Sequence, residues 1–563
     1  MPYDLKSVKL PRLKGGMLSL VASLLEHSLT GPLLAGPLLR DAGIGALRRF
    51  PSDDAPTWLP RLPFDGPAAT ATDAPDLASL SARTADWPRP EGLALATIAD
   101  YAAAYRAGTT TPLAVAERVL DAITESDRAA PPLRAFISVL RDEVLAQARA
   151  STERLATGRA LGVLDGVPIA VKDEMDQSGH PTSVGTRIFG TKAALEDAGA
   201  VAGLRAAGAL LVGKANMQEI GLGVFGLNPH HGIARNPHNP LYHTGGSSSG
   251  SAAAVGAGIV PVAVGADGGG SIRVPAGFCG VVGLKPTFGR VSERGAAPLC
   301  WSVAFIGPIG ATARDVLLAY AAMAGPDGRD PGSLLQPPMR FDDLERDELR
   351  GITLGVYRPW FAHATAEIVA ACDAQLAAFV RRGATVRDVE LPELEPARMA
   401  HLVTITSEMV ASMNRETAGA RARFGDETRL GLALASYFTA ADYVQAQRIR
   451  TRAMAHAARA LEQVDAIITP ATAITAPAVA PGTARGVSDV TATTEIMRFA
   501  FLQNFTGHPA ISFPVGYGAH GLPIAMQAMG RPWREDVLLR LAAAAERDVA
   551  RRAPAVRFAP LGG

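Results

Sequence analysis

Between Gly245 and Arg273 the chain reads GGSSSGSAAAVGAGIVPVAVGADGGGSIR. The small-residue run AAAVGAG predicts a tightly packed buried helix, and the apolar run IVPVAVG predicts a short buried strand. The glycine-serine cluster before them and the Asp267–Ser271 cluster after them then become turns at the two ends of a helix–strand unit. Upstream, Val167–Val171 is apolar throughout and predicts a strand that ends at Lys172.

The remaining pattern is coarser. Leu18, Val21, Ala22, Leu25 and Leu29 fall on one face of an N-terminal helix. Pro32 and Pro37 should break any continuation of it. Residues 51–92 are rich in Pro, Asp, Ala and Ser and read as a surface-wrapping linker. Helical patterns follow from Leu93, with Thr111-Pro112 as a helix start. Arg134–Ala160 reads as a strand and then a helix. Residues 317–460 read as mostly helical, most clearly over Arg448–Leu461. The C-terminal third returns to short strands and Pro-rich turns, and ends in the helix EDVLLRLAAAAER.

Composition narrows the class. Hydrophobic residues make up 48% and charged residues 19% of the 563 positions, enough apolar material for a large core. A net charge of +1 argues against nucleic acid as a partner. Cys279, Cys300 and Cys372 are too few and scattered for a disulfide framework or a cysteine metal site, so a reducing, cytoplasmic setting is the simplest expectation. No apolar run reaches the roughly 18–20 residues that span a bilayer. Lys6, Lys9, Arg12 and Lys14 ahead of MLSLVASLL imitate a signal peptide, but Glu26 and His27 interrupt it. The basic lead-in and apolar face fit peripheral membrane contact, packing on the protein's own core, or the contact of an expected homodimer.

Three motifs have plain structural readings. Gly208-ALLV-Gly213-Lys214-Ala215 resembles a phosphate loop but lacks the Ser/Thr that holds magnesium, so it reads as strand and turn. Gly221, Gly223 and Gly226 form G-x-G-x-x-G without a β-branched strand before it, and read as a loop near a substrate pocket. Gly246–Gly250 satisfies G-x-S-x-G, which would make Ser248 a nucleophile, but no clear strand precedes it. His230, His231, His238 and His243 crowd one loop without a carboxylate set, so they read as orienting backbone rather than binding metal. No metal and no cofactor is expected.

The chemistry lies elsewhere. Three glycines just before Ser271 present backbone N–H groups as an anion pocket beside a candidate nucleophile. Lys172, at a strand end, is the candidate base, because burial disfavours the ammonium. Lys172, GGSSSGS and DGGGSIR, with PAGFCGVVGLKPTFGRVS, IGPIGATARD, VDAIITPAT, NFTGHPAISFPVG and GLPIAMQAMGRPW downstream, resemble the amidase signature family over residues 91–550. RNPHNP and the style of the N-terminal extension are most similar to plant-type fatty acid amide hydrolases.

The resemblance implies an α/β fold, with a large mixed β-sheet surrounded by helices. A helical extension and linker over 1–90 would precede a catalytic domain over 91–563. It implies hydrolysis of fatty acid amides of the N-acylethanolamine type by a Ser-cisSer-Lys triad: Ser271 attacks, Ser247 relays and Lys172 accepts the proton. The N–H groups of Gly268, Gly269, Gly270 and Ser271 would hold the oxyanion, with Ser248, Asp267 and Arg273 in support. The partner is then a small-molecule amide of lipid character. The alternatives are a broader amidase or carbamate hydrolase, and the A-type component of a glutamyl-tRNA amidotransferase. Met409, Met413, Phe424, Tyr437, Phe438 and Tyr443 suit an acyl channel or, equally, core.

Overall fold

A computed structural model of the protein describes residues 3–8, 11–417 and 419–562. Thirteen strands are assigned among them: β1 Leu13–Lys14, β2 Phe136–Ser138, β3 Pro168–Lys172, β4 Leu210–Ala215, β5 Val262–Ala266, β6 Val282–Lys285, β7 Ile306–Gly310, β8 Thr353–Val356, β9 Thr385–Asp388, β10 Ala466–Pro470, β11 Val487–Ser488, β12 Ala510–Tyr517 and β13 Pro523–Gly530. Eleven form one sheet in the order β2-β4-β3-β5-β7-β6-β12-β13-β10-β8-β9, and β1 pairs only with β11. β4, β3 and β5 run parallel, the central strands antiparallel, and β10, β8 and β9 parallel again. The sheet is therefore mixed, as expected, and helices cover it.

The parallel trio explains its own sequence. β3, β4 and β5 are buried along their whole length. Strands covered on both faces need continuous apolar runs rather than alternation. The predicted small-residue helix is Ser249–Gly256, with every residue buried. Its backbone lies so close to its neighbours that a Cβ on Gly250 would sit 2.2 Å from Ala135 O and 2.4 Å from Asn216 N. Only glycine fits there. The region 317–460 is helical but also contributes β8 and β9 at the sheet edge. β9 alternates weakly and is mostly exposed, so no apolar run announced it.

The N-terminal segment forms α1 (Gly15–Glu26) and α2 (Gly31–Asp41), bent by 112°. Leu18, Ala22 and Leu25 face inward, and Leu25 joins Ala433, Val21, Leu430 and Tyr437 against the helix Asp426–Ala435. Leu29, expected on the same face, is instead 75% exposed. Pro32 starts α2, whereas Pro37 lies inside it rather than breaking it. The outward apolar residues are Met17, Leu20, Leu33, Leu34 and Leu38. No single helix among the described residues is long and apolar enough to cross a membrane. Of the basic lead-in, Lys9 lies outside the described residues. The linker is tied down: Trp58 stacks on Tyr443 at 6.1 Å, and its carbonyl accepts from Arg450 Nη1 at 2.9 Å.

Leu25→Ala should therefore cost about 2–5 kcal/mol through the cavity it leaves. Leu33→Ala, at an exposed position, should stay within about 0.5 kcal/mol of the parent. Urea unfolding midpoints of the two variants check this.

Candidate active site

The site stands at the C-terminal ends of β3 and β5, two parallel neighbours in register from Ile169↔Val262 to Val171↔Val264. β3 delivers Lys172 and β5 delivers Asp267 and the glycine loop. In the turn that follows β3, Asp173 reaches Lys214 at 3.3 Å, while Glu174 turns back to Lys172.

Lys172 is 1% exposed, and its Nζ has three polar neighbours: Ser247 Oγ at 2.8 Å, Ala266 O at 3.1 Å and Glu174 Oε2 at 2.7 Å. The carbonyl and an ionised carboxylate only accept. In its amine form, with two N–H groups and one lone pair, Lys172 gives both hydrogens to them and turns the lone pair to the Ser247 hydroxyl. In its ammonium form all three positions find acceptors. Glu174 is absent from the expected set; it lies in the turn just after β3, two residues from Lys172.

Ser247 follows a cis Gly246–Ser247 peptide bond, and its carbonyl accepts from Gln218 N at 3.0 Å. Gln218 Oε1 in turn accepts from Phe225 N and Gly226 N, which fastens the G-x-G-x-x-G loop beside the serines. A Cβ on Gly221 would stand 3.6 Å from Ser247 Oγ. Ser248 N donates to Ser271 O at 3.2 Å and so ties the two serine loops together. The Ser271 hydroxyl makes no hydrogen bond with Ser247, or with any other group, among the described residues. Ser271 is 6% exposed. Ser248 is fully buried, its hydroxyl donating to Ala266 O at 3.1 Å and accepting from Ala266 N at 3.3 Å. That hydroxyl is bound to the end of β5 and is not presented as a nucleophile.

The glycine loop differs from expectation at one donor. Gly270 N–H is already given to Asp267 Oδ1 at 2.6 Å. Among the described residues the N–H groups of Gly268, Gly269 and Ser271 have no acceptor. An anion pocket here consists of those three, and Gly270 is withdrawn because the tight turn folds its N–H onto the Asp267 carboxylate.

Asp267 and Arg273 form a fully buried bidentate pair, Nε to Oδ2 at 3.0 Å and Nη2 to Oδ1 at 3.0 Å. Arg273 also donates to Gln503, Gln527, Asn504 and the Ala500 carbonyl. Burial alone would raise the Asp267 carboxyl, but the Arg273 guanidinium and the N–H groups of Ile272 and Gly270 hold it well below the usual carboxylate range. The wall beside Gly268 is apolar: a Cβ there would meet Ile405 Cδ1 at 3.1 Å and Cys300 Sγ at 3.2 Å. Leu299, Met217, Met409, Met413 and Phe424 continue that cluster. Tyr437 and Phe438 pack into other parts of the core, and Tyr443 donates to Glu408 at 2.9 Å. Two further groups reach the site from distant segments: Asn504, the first residue of the NFTGHPAISFPVG motif, whose Nδ2 donates to Asp267 O at 2.6 Å, and His401, which carried no local signal and whose Nε2 lies 2.8 Å from Gly268 O.

The loop histidines act on neighbouring protein groups. His230 pairs with Glu219, His231 meets Thr186 O, and both backbone N–H groups donate to Asn228 Oδ1 at 2.8 Å. Burial holds the His243 imidazole down at about 3 and that of His238 at about 4.

The family model described as Amidase matches residues 117–539. A protein of Medicago truncatula named fatty acid amide hydrolase is 38% identical over 590 residues, covering 100% of this chain and 96% of its own. The A-type component of the glutamyl-tRNA(Gln) amidotransferase of Symbiobacterium thermophilum is 35% identical over 464 residues, covering 78% of this chain and 93% of its own. The crystal structure of a bacterial aryl acylamidase of the amidase signature family superposes with a TM-score of 0.73 at 28% identity, covering 82% of this chain and 97% of that one.

Asp267→Ala would strand the Arg273 guanidinium without its counter-charge. Breaking a buried pair on one side costs about 3–5 kcal/mol. The variant should melt well below the parent, and Asp267→Glu should not restore it, because the longer side chain cannot keep the Gly270 N–H bond. Thermal melts of both variants check this.

Proposed function

Because the chain belongs to the amidase family and is an amide-hydrolysing enzyme, we propose that its substrates are fatty acid amides of the N-acylethanolamine type. Ser271 is the nucleophile, Ser247 the relay and Lys172 the base. A serine hydroxyl needs such a base to attack an amide. Ser271 Oγ adds to the carbonyl carbon, its proton passes to Ser247 Oγ, and the Ser247 proton passes to the Lys172 amine. The N–H groups of Gly268, Gly269 and Ser271 receive the negative oxygen. Collapse of the adduct breaks the C–N bond, and the leaving amine takes the proton back through Ser247. Water, deprotonated by the same relay, then adds to the acyl ester, the bond from the acyl carbon to Ser271 Oγ breaks, and the relay returns the proton to that oxygen. Glu174 and the Ala266 carbonyl accept from Lys172 on its other sides, so that its lone pair before the transfer, and the transferred proton after it, face Ser247.

One observation carries the lipid reading. The similarity to a fatty acid amide hydrolase runs through the whole chain, including residues 1–90, whereas the amidotransferase-type relative covers 78% of it. The apolar wall of Leu299, Ile405, Met409 and Met413 beside Gly268 suits an acyl chain. In this reading residues 1–90 are an extension serving a catalytic domain over 91–563. The outward residues of α1 and α2, with Leu33 76% exposed, then rest on the surface of a membrane at its cytoplasmic side. A second copy of the chain is the competing occupant of that face.

Two experiments test this. A fluorophosphonate should label the parent but neither Ser271→Ala nor, at a comparable rate, Lys172→Ala; labelling retained in Ser271→Ala removes Ser271 as the nucleophile. Across N-acylethanolamines of increasing length, kcat/KM should rise severalfold per methylene before levelling, since each buried CH₂ is worth about 0.8 kcal/mol. A flat profile with rapid turnover of short aryl amides favours the aryl amidase reading instead. In parallel, Met17→Asp/Leu33→Asp should stop co-sedimentation with anionic vesicles without lowering the melting temperature. Dissociation of a dimer in that variant, with no vesicle binding by the parent, assigns the face to the second copy.

A further inference from the structure

Among the described residues three backbone N–H groups of the glycine loop have no acceptor, and each belongs to a peptide unit whose carbonyl does have a partner. The Asp267–Gly268 peptide has its carbonyl bound by Asn504 Nδ2 at 2.6 Å. The Gly268–Gly269 peptide has its carbonyl 2.8 Å from His401 Nε2. The Gly270–Ser271 peptide has its carbonyl bound by Val274 N at 2.7 Å, in the first turn of the helix Arg273–Phe278. A trans peptide is planar, with C=O and N–H pointing in opposite directions. Anchoring the carbonyl on one side therefore aims the N–H to the other. A glycine has no side chain to restrict this rotation, so the anchor decides it.

Of the three anchors, Val274 is backbone and Asn504 also serves Arg273 and the Val303 carbonyl. His401 has one polar partner among the described residues, the Gly268 carbonyl. It is buried, and it comes from the long helix Leu394–Thr417, over a hundred positions away in the chain. Its ring packs edge-on to Phe505 at 6.2 Å and lies against Gly269, where a Cβ would meet His401 Cε1 at 3.0 Å. Because a carbonyl only accepts, the proton sits on Nε2. Burial holds the imidazole neutral down to about 4, so this single N–H is the only one the ring has.

We propose that His401 is a positioning residue of the oxyanion hole, fixing the Gly268–Gly269 peptide so that the Gly269 N–H faces the carbonyl under attack. It touches neither substrate nor the reacting atoms. The proposal rests on Ser271 being the nucleophile.

The test uses the full chain, a decanoyl p-nitroanilide as reporter and the decanoyl trifluoromethyl ketone as a stable mimic of the adduct. Loss of a whole oxyanion donor costs about 100- to 1000-fold. His401→Phe keeps a ring but has no N–H, so the donor is misaimed rather than absent. A fall in kcat of roughly 10- to 100-fold is expected, with KM within about threefold and with ketone affinity weakened by the same factor as kcat. His401→Gln, which restores an N–H, should recover part of both. If His401→Phe does not fold, His401→Ala carries the same comparison. Parent-like kcat and ketone affinity in a folded Phe or Ala variant overturn the proposal. So does a loss confined to KM, or a loss in Gln equal to that in Phe. A parent enzyme that is not labelled at Ser271 by fluorophosphonate refutes the underlying assignment instead, which separates the two failures.

Discussion

The buried Asp267–Arg273 pair holds the reactive part of this molecule together. A guanidinium and a carboxylate removed from water each cost several kcal/mol unless every donor and acceptor is met. Here Arg273 reaches Gln503, Asn504, Gln527 and the Ala500 carbonyl as well as Asp267, so one side chain joins the glycine loop, the helix Phe501–Thr506 and β13. Asp267 spends its oxygens on Arg273 and on the N–H groups of Gly270 and Ile272. The turn before Ser271 is therefore set by a polar network and not by packing alone. That network also explains why one of four adjacent N–H groups is spent on the fold and three remain free.

A second constraint acts on the lysine. The ends of β3 and β5 lie side by side because the strands are parallel and in register, which brings the Ala266 carbonyl to Lys172 Nζ. Ser247 arrives from a separate loop, held by Gln218 N on its carbonyl and by the Ser248–Ser271 backbone bond. The small-residue helix behind it permits this closeness, since a side chain on Gly250 would drive the serine loop away from β4. Sheet register, a glycine without Cβ and a buried ion pair thus converge on one set of atoms. In the proposed reaction the groups involved are ones the fold has already fixed, which is how preorganised sites keep their reorganisation cost low.

The N-terminal segment follows a different logic. Leu18, Ala22 and Leu25 supply its adhesion to the helix Asp426–Ala435, with Glu26–Arg429 at 2.6 Å on the rim. Its other side, Met17, Leu20 and Leu33, remains apolar and uncovered in the monomer. The sequence pattern marks the side of Leu18, Ala22 and Leu25 but not the second apolar side at Met17 and Leu20. Which side packs inward depends on the groove it meets.

Local composition was sufficient for the strand ending at Lys172, the small-residue helix, the strand after it, the Thr111-Pro112 helix start and the glycine turn, because each is a short-range pattern with one steric solution. Lys172, Ser247, Ser271, Asp267 and Arg273 were legible because they sit in or beside those patterns. Glu174, in the turn just after β3, carried only its nearness to Lys172 as a signal. The withdrawal of Gly270, the anchoring by Asn504 and His401, the outward turn of Leu29 and the edge strand β9 were not legible. The anchors and the edge strand depend on partners far away in the chain, and a hydrogen bond between distant segments leaves no periodicity in either one; the Gly270 bond reaches only to Asp267, but it follows from the turn's geometry, which residue order does not show. The order of residues along the chain is enough to single out the candidates for the chemistry. Which of their N–H groups and lone pairs are free is settled in three dimensions, because only folding shows what each has already been bonded to.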